Sequence, residues 1–107
     1  MNAGERRAVR HYRLRGYRIL ARNAWAGGNE LDLVVRRGRT VAFCEVKEKR
    51  GHGFGDPAEM VGPAKQRRVR RAATAWLACR PELGALAVRF DVIAIRPEGL
   101  ERIEHAF

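Results

Sequence analysis

The sequence predicts an α/β domain built around a mixed β-sheet. Two observations carry that prediction. Segments with helical apolar spacing alternate with short runs rich in β-branched and aromatic residues, and their order is helix, three strands, helix, strand. A final LERIEHAF adds a short last strand. At 107 residues the chain has the length of one domain, 1–107, and can bury a core without disulfide or metal staples.

Each element has a local reason. In GERRAVRHYRLR (4–15), Ala8, Val9 and Tyr12 form an apolar stripe at helical spacing, with Arg6, Arg7, Arg10 and Arg13 on the remaining faces. Gly16 suits a left-handed terminus. YRILA (17–21) is a short strand, and NAWAGGN (23–29), with paired glycines, is expected to be a loop. ELDLVV (30–35) and TVAFCEVK (40–47), joined by RRGR, form a hairpin with Gly38 in the turn. EKRGHGFGD (48–56) is a loop, and Asp56-Pro57 caps a single helical turn over PAEM. A longer helix covers 63–79, with Val69, Ala72, Ala73, Trp76 and Leu77 as its core stripe. LAVRFDVIAI (86–95) is a strand.

Charge restricts the partners. Lys and Arg number 22 against 12 acids, a formal +10. Nucleic acid is the commonest polyanion met by such a domain. A membrane partner is not expected, because no long apolar face opposes a basic one and no apolar run reaches spanning or signal-peptide length. Cys44 and Cys79 stand far apart and in no metal-binding spacing, which suits buried thiols in a reducing cytoplasm.

The hairpin raises the chemical question. Alternation puts Glu30 and Asp32 on one face of their strand, and Glu45 and Lys47 on one face of the next. A short turn brings Asp32 beside Glu45, where two carboxylates repel unless a cation intervenes. Mg²⁺ or Mn²⁺, which prefer oxygen ligands, would solve that problem, with Lys47 beside the metal. Spacing alone also admits a cross-strand ion-pair ladder, Glu30 or Asp32 with Lys47 or an arginine.

Asp32, followed on the next strand by Glu45-Val46-Lys47, resembles the PD-(D/E)XK nuclease signature, with Leu31-Asp32 where the signature has Pro-Asp. The wider chain is similar to the YraN family of small bacterial proteins, which belong to that superfamily and resemble Holliday-junction resolvases. The matching segments run from Gly4-Glu5 through GYRILARN, ELDLVV, FCEVKEKR, FGDPAEMVGPAKQRRVRRAA and RFDVIAI to His105-Ala106-Phe107. The resemblance implies a restriction-endonuclease-like three-layer fold, a central mixed sheet flanked by helices. It implies Asp32 and Glu45 as metal ligands, completed by the Val46 backbone carbonyl, and Lys47 to orient the attacking water or stabilise the transition state. Glu5 would approach the metal through water, and Lys65 or Gln66 would serve as an auxiliary active-site residue. The implied activity is Mg²⁺- or Mn²⁺-dependent endonucleolysis of DNA rather than RNA, on branched or structured DNA, leaving a 5′-phosphate. The alternative is a non-catalytic nucleic-acid-binding accessory protein with a vestigial site.

Arg67, Arg68, Arg70 and Arg71, with Arg6, Arg7, Arg10 and Arg13, are expected to contact phosphates, since no acid lies between Met60 and Pro81. Trp25 and Phe54 are expected to cover the core edge, with stacking on unpaired bases as the functional alternative; His52 is incidental. Asp91 is expected in a structural salt bridge or hydrogen bond and Trp76 in the core. Resolvase-like enzymes act as dimers, so a homodimer is also expected. The apolar residues of LAVRFDVIAI serve either that interface or the core.

Overall fold

The computed structural model describes residues 2–48 and 61–107. Helix α1 (Ala3–Arg13) leads into β1 (Arg18–Ala26), β2 (Asn29–Arg37) and β3 (Thr40–Glu48); α2 (Pro63–Ala78), a 3-10 turn at Pro81–Leu83, β4 (Ala87–Arg96) and β5 (Gly99–Ile103) follow. The strands form one sheet in the order β1-β2-β3-β4-β5. All neighbours are antiparallel except β3 and β4, which pair in parallel across the α2 connection. This is the expected α/β architecture, a mixed sheet with a helix on each face, as in a three-layer restriction-endonuclease-like fold.

Alternation along the strands divides the core in two. Leu33, Val35, Ala42, Cys44, Ile93 and Ile95 pack with Ala8, Val9 and Tyr12 of α1. Val34, Val41, Phe43 and Phe90 pack with Val69, Ala72, Ala73 and Trp76 of α2. The stripes expected on both helices are therefore the faces they bury. Every residue from Arg89 to Ile95 is buried, and β4 lies between β3 and β5, so RFDVIAI belongs to the core, whereas Ala87 and Val88 at the start of β4 are exposed.

Between α1 and the β4–β5 pair sits a buried polar network. Arg89 donates from Nε to Asp91 Oδ1 at 2.8 Å and from Nη2 to Oδ2 at 2.9 Å, and the Tyr12 hydroxyl donates to Oδ2 at 2.8 Å. Arg89 and Arg102 both donate to the Tyr17 hydroxyl. Asp91 is thus the structural ion pair expected of it, with both oxygens satisfied.

Four expectations are corrected. The segment 23–29 is not a loop: β1 runs through Ala26 and turns back at Gly27-Gly28 as a tight hairpin. Glu48 belongs to β3 rather than to the following loop. Cys44 is buried but Cys79, at the end of α2, is exposed. Trp25 is 72% exposed and covers no core edge, because it sits at the hairpin tip opposite Glu30. The remainder of the loop over 48–56, the turn over PAEM, His52 and Phe54 lie outside the described residues.

Candidate metal centre

The site lies where β2 begins, β3 ends and both helices start. The β2–β3 register pairs Leu33 with Cys44, so Asp32 and Glu45 follow as the next opposed positions. The regular ladder stops there, and the Val46 N–H donates to Asp32 Oδ2 at 2.9 Å instead. Alternation in β2 also breaks at this point. Leu31 and Leu33, two residues apart, pack in opposite core layers. Asp32 sits at the break, and across the sheet is Asn23, whose φ of 48° is a left-handed conformation that asparagine tolerates.

Glu45 is buried on the α2 side, with Lys47 two residues along on the same face. Lys65, in the first turn of α2, places Nζ 3.6 Å from Glu45 Oε2. Glu45 Oε1 is buried and has no hydrogen-bond partner among the described residues. Burial raises the Glu45 carboxyl from 4.5 to about 7, and the Asp32 charge adds to the rise, while Lys65 and Lys47 oppose it. Burial also raises Asp32; the Val46 N–H holds it back, the Glu5 charge pushes it further, and Lys65 and Lys47 counter.

Glu5 reaches this cluster from α1. Asn2 and Glu5 form a capping box: the Glu5 N–H donates to Asn2 Oδ1 at 2.8 Å, and the Asn2 N–H donates to Glu5 Oε1 at 3.5 Å. Glu5 Oε2 is left buried without a hydrogen-bond partner among the described residues. Gly4 permits the close approach, since a Cβ there would collide with the Glu48 carboxylate at the end of β3.

The structure therefore gathers Asp32, Glu45, Lys47, Lys65 and Glu5 around one end of the sheet. Gln66 is differently engaged: its side-chain amide donates to the Val61 carbonyl at 2.8 Å and braces the start of α2, which has no side-chain cap of its own. Glu30, opposite Trp25, is not among the main charges felt by either acid. Among the described residues, no group of three His, Cys, Asp or Glu side chains could by itself enclose a metal. Two repelling carboxylates with an orphaned oxygen nevertheless fit Mg²⁺ or Mn²⁺, since Mg²⁺ is commonly held by only one or two carboxylates.

The arginines divide between the sheet faces. Arg67, Arg68 and Arg71 are exposed on α2, whereas the Arg70 guanidinium lies 4.7 Å over the Phe90 ring and 5.6 Å from that of Phe107. Arg6 and Arg10 are exposed on α1. The capping box was not among the expected features, although its signal is present as Asn2-Ala3-Gly4-Glu5. The Gly4–Glu48 approach had no local signal, because it joins residues distant in the chain.

The profile described as "Uncharacterised protein family UPF0102" matches residues 4–95, a span that includes the acids of both strands and the start of α2. The chain belongs to the UPF0102 family. A UPF0102 protein of Acidothermus cellulolyticus is 48% identical over 101 residues, covering 86% of this chain and 76% of that protein. One from Shewanella amazonensis is 44% identical over 110 residues and covers both chains completely. A third, from Syntrophotalea carbinolica, is 48% identical over 103 residues, with 95% and 83% coverage. The expected YraN resemblance is to this UPF0102 family. No helix among its described residues is long and apolar enough to cross a membrane.

Proposed function

We propose that this UPF0102 chain is a metal-dependent endonuclease of the PD-(D/E)XK type acting on DNA, in particular branched or otherwise structured DNA. The observation that carries the reading is the convergence of Asp32, Glu45 and Lys47, with Asp32 held by the backbone of the residue between the other two. Asp32, Glu45 and the Val46 carbonyl would hold Mg²⁺ or Mn²⁺, with Glu5 acting through water. Such a cation supplies charge neutralisation at a phosphate and a more acidic water. The Val46 N–H fixes the Asp32 carboxylate in orientation. Lys47 offers an ammonium to the charge that develops on the scissile phosphate or to the attacking water. Lys65, 3.6 Å away, opposes the burial and the Asp32 charge that raise the Glu45 carboxyl. Two unpaired cysteines suit action in a reducing cytoplasm.

One observation favours the accessory reading. Lys65 already provides Glu45 with a counter-charge at 3.6 Å, which offsets part of the cost of its burial without a metal. Calorimetric titration with Mn²⁺ distinguishes the two. The nuclease reading predicts binding that is lost in Asp32→Asn and Glu45→Gln, together with metal-dependent cleavage lost in Lys47→Ala. DNA binding that ignores the metal and survives Lys47→Ala, with no cleavage, supports the accessory module.

A further inference from the structure

The β1–β2 hairpin tip that carries Trp25 is seated directly on α2. Gly27 turns the chain at a φ of 56°, and a Cβ there would stand 3.1 Å from the Arg71 carbonyl and 3.3 Å from the Ala72 Cα. Between the tip and the helix lies a cleft of about 320 Å³, whose lining includes Trp25 on one side and Ala75, Trp76 and Arg80 on the other. Its volume is at the lower end of the range for small-ligand clefts. Trp25 brings to it an indole that is 72% exposed. The Arg80 guanidinium lies 3.9 Å over the Trp76 ring, and Arg80 Nη1 donates to the Trp76 carbonyl at 2.9 Å, which fixes a planar cation in the opposite wall.

Helical spacing ties this cleft to the metal centre. Lys65, Arg68, Arg71 and Ala75 follow one another at three or four residues, so they share one strip of α2. The strip runs from the lysine beside Glu45, through two exposed arginines, to the cleft wall. From Lys65 to Ala75 the helix rises about 15 Å, a distance that a few nucleotides of unpaired strand can span. Glu30, opposite Trp25 in the β1–β2 register, is an acid at this corner. It disfavours a phosphate at the indole and leaves the ring to an uncharged group.

We propose that the cleft receives one unpaired nucleobase of a DNA strand whose phosphates run along Arg68 and Arg71 toward the metal centre. The inference rests on the DNA-binding part of the proposed function and specifies a substrate that is unpaired at this position. Trp25 covers no core, and a base face stacked on its indole removes apolar surface from water in a way that every base sequence allows. The strip divides the nucleotide by charge: phosphates meet the arginines, and the base meets the ring beside Glu30, whose carboxylate can accept from a base amino group. A duplex keeps its base faces on their neighbours and has none to offer. A second copy of this chain, itself at a formal +10, would bring like charge against Arg68 and Arg71.

The test measures binding by fluorescence anisotropy in EDTA, over a range of salt, with three labelled DNAs of equal length: a single strand, the same strand with abasic sites replacing its bases, and a blunt duplex. The parent is compared with Trp25→Ala, Trp25→Phe and, as a control for loss of an exposed apolar side chain, Leu14→Ala, whose leucine is 71% exposed at the end of α1. Trp25→Ala is expected to weaken single-strand binding by about tenfold or more at every salt concentration, with the salt slope unchanged because no charge is removed. Trp25→Phe, which keeps an aromatic face, is expected to recover most of that loss. The abasic strand and the duplex are expected to change less than about threefold, as is every DNA with Leu14→Ala. Arg68→Ala/Arg71→Ala is expected to lower the salt slope by about 1.4 on intact and abasic single strands alike. Unchanged single-strand binding in Trp25→Ala, or an equal loss on the abasic strand or the duplex, overturns the proposal. Self-association of the parent that Trp25→Ala abolishes, with DNA binding intact, also overturns it and gives the cleft to a second copy. Because the measurement needs neither metal nor cleavage, the proposal stands if the protein binds without cutting. Its failure leaves metal-dependent cutting intact.

Discussion

The Val46 N–H donates to Asp32 Oδ2 at 2.9 Å, so the residue flanked by Glu45 and Lys47 grips the acid of the neighbouring strand. One hydrogen bond both closes the end of the β2–β3 ladder and sets the distance between the two carboxylates.

Removing that acceptor has a structural cost separable from chemistry. Asp32→Ala leaves the Val46 N–H without its partner and is expected to destabilise by about 1–3 kcal/mol in urea denaturation. Asp32→Asn keeps an oxygen acceptor and relieves the repulsion with Glu45. Its stability is expected within about 0.5 kcal/mol of the parent. Asp32→Asn is therefore the variant in which lost activity reports on chemistry rather than folding.

Glu45 gives the metal-free protein a pH dependence of definite sign. Its carboxyl is raised from 4.5 to about 7, so its contribution to stability is complete below pH 4.5 and is lost as pH rises through about 7. In EDTA, Glu45→Gln is expected to melt several degrees above the parent at pH 8, with the gap closing by pH 5. Thermal scans at both pH values check this. A parent that is the more stable protein at pH 8 contradicts the burial argument.

The network under α1 is expected to dominate stability. Asp91→Ala removes both hydrogen-bonded oxygens from buried Arg89 and leaves it only the longer 3.9 Å contact with Glu104, a loss of about 3 kcal/mol. Tyr12→Phe removes a single hydrogen bond to the same carboxylate, about 1–3 kcal/mol. Urea midpoints order the two. Equal losses would mean that Glu104, 3.9 Å from Arg89, suffices as its counter-charge.

Much of this arrangement was legible in the sequence, because periodicity reports local geometry. The stripes Ala8-Val9-Tyr12 and Val69-Ala72-Ala73-Trp76 are the buried helix faces, and the acid-x-lysine run lies on a strand as expected. The failures share a cause. Asn23 and Gly27 carry the backbone through positive φ, which looks like a loop in composition yet here continues β1 into a tight hairpin. A Cβ at Gly27 would also stand 3.1 Å from the Arg71 carbonyl, a contact with α2 that no local pattern announces. Likewise the exposure of Trp25 and Cys79, the stacking of Arg70 on Phe90 and the separation of Leu31 from Leu33 depend on tertiary packing rather than spacing.

The most direct test is cleavage of labelled four-way-junction, flap, single-stranded and duplex DNA with Mg²⁺, Mn²⁺ or EDTA. Parent, Lys47→Ala and Asp32→Asn proteins, purified in parallel, are compared. The parent is expected to cut in a metal-dependent manner, most strongly on DNAs with a branch or unpaired arm, with no cutting in EDTA or by either variant. Binding without cutting under every metal, equal in all three proteins, would contradict it and leave the carboxylates of β2 and β3 as parts of an accessory module.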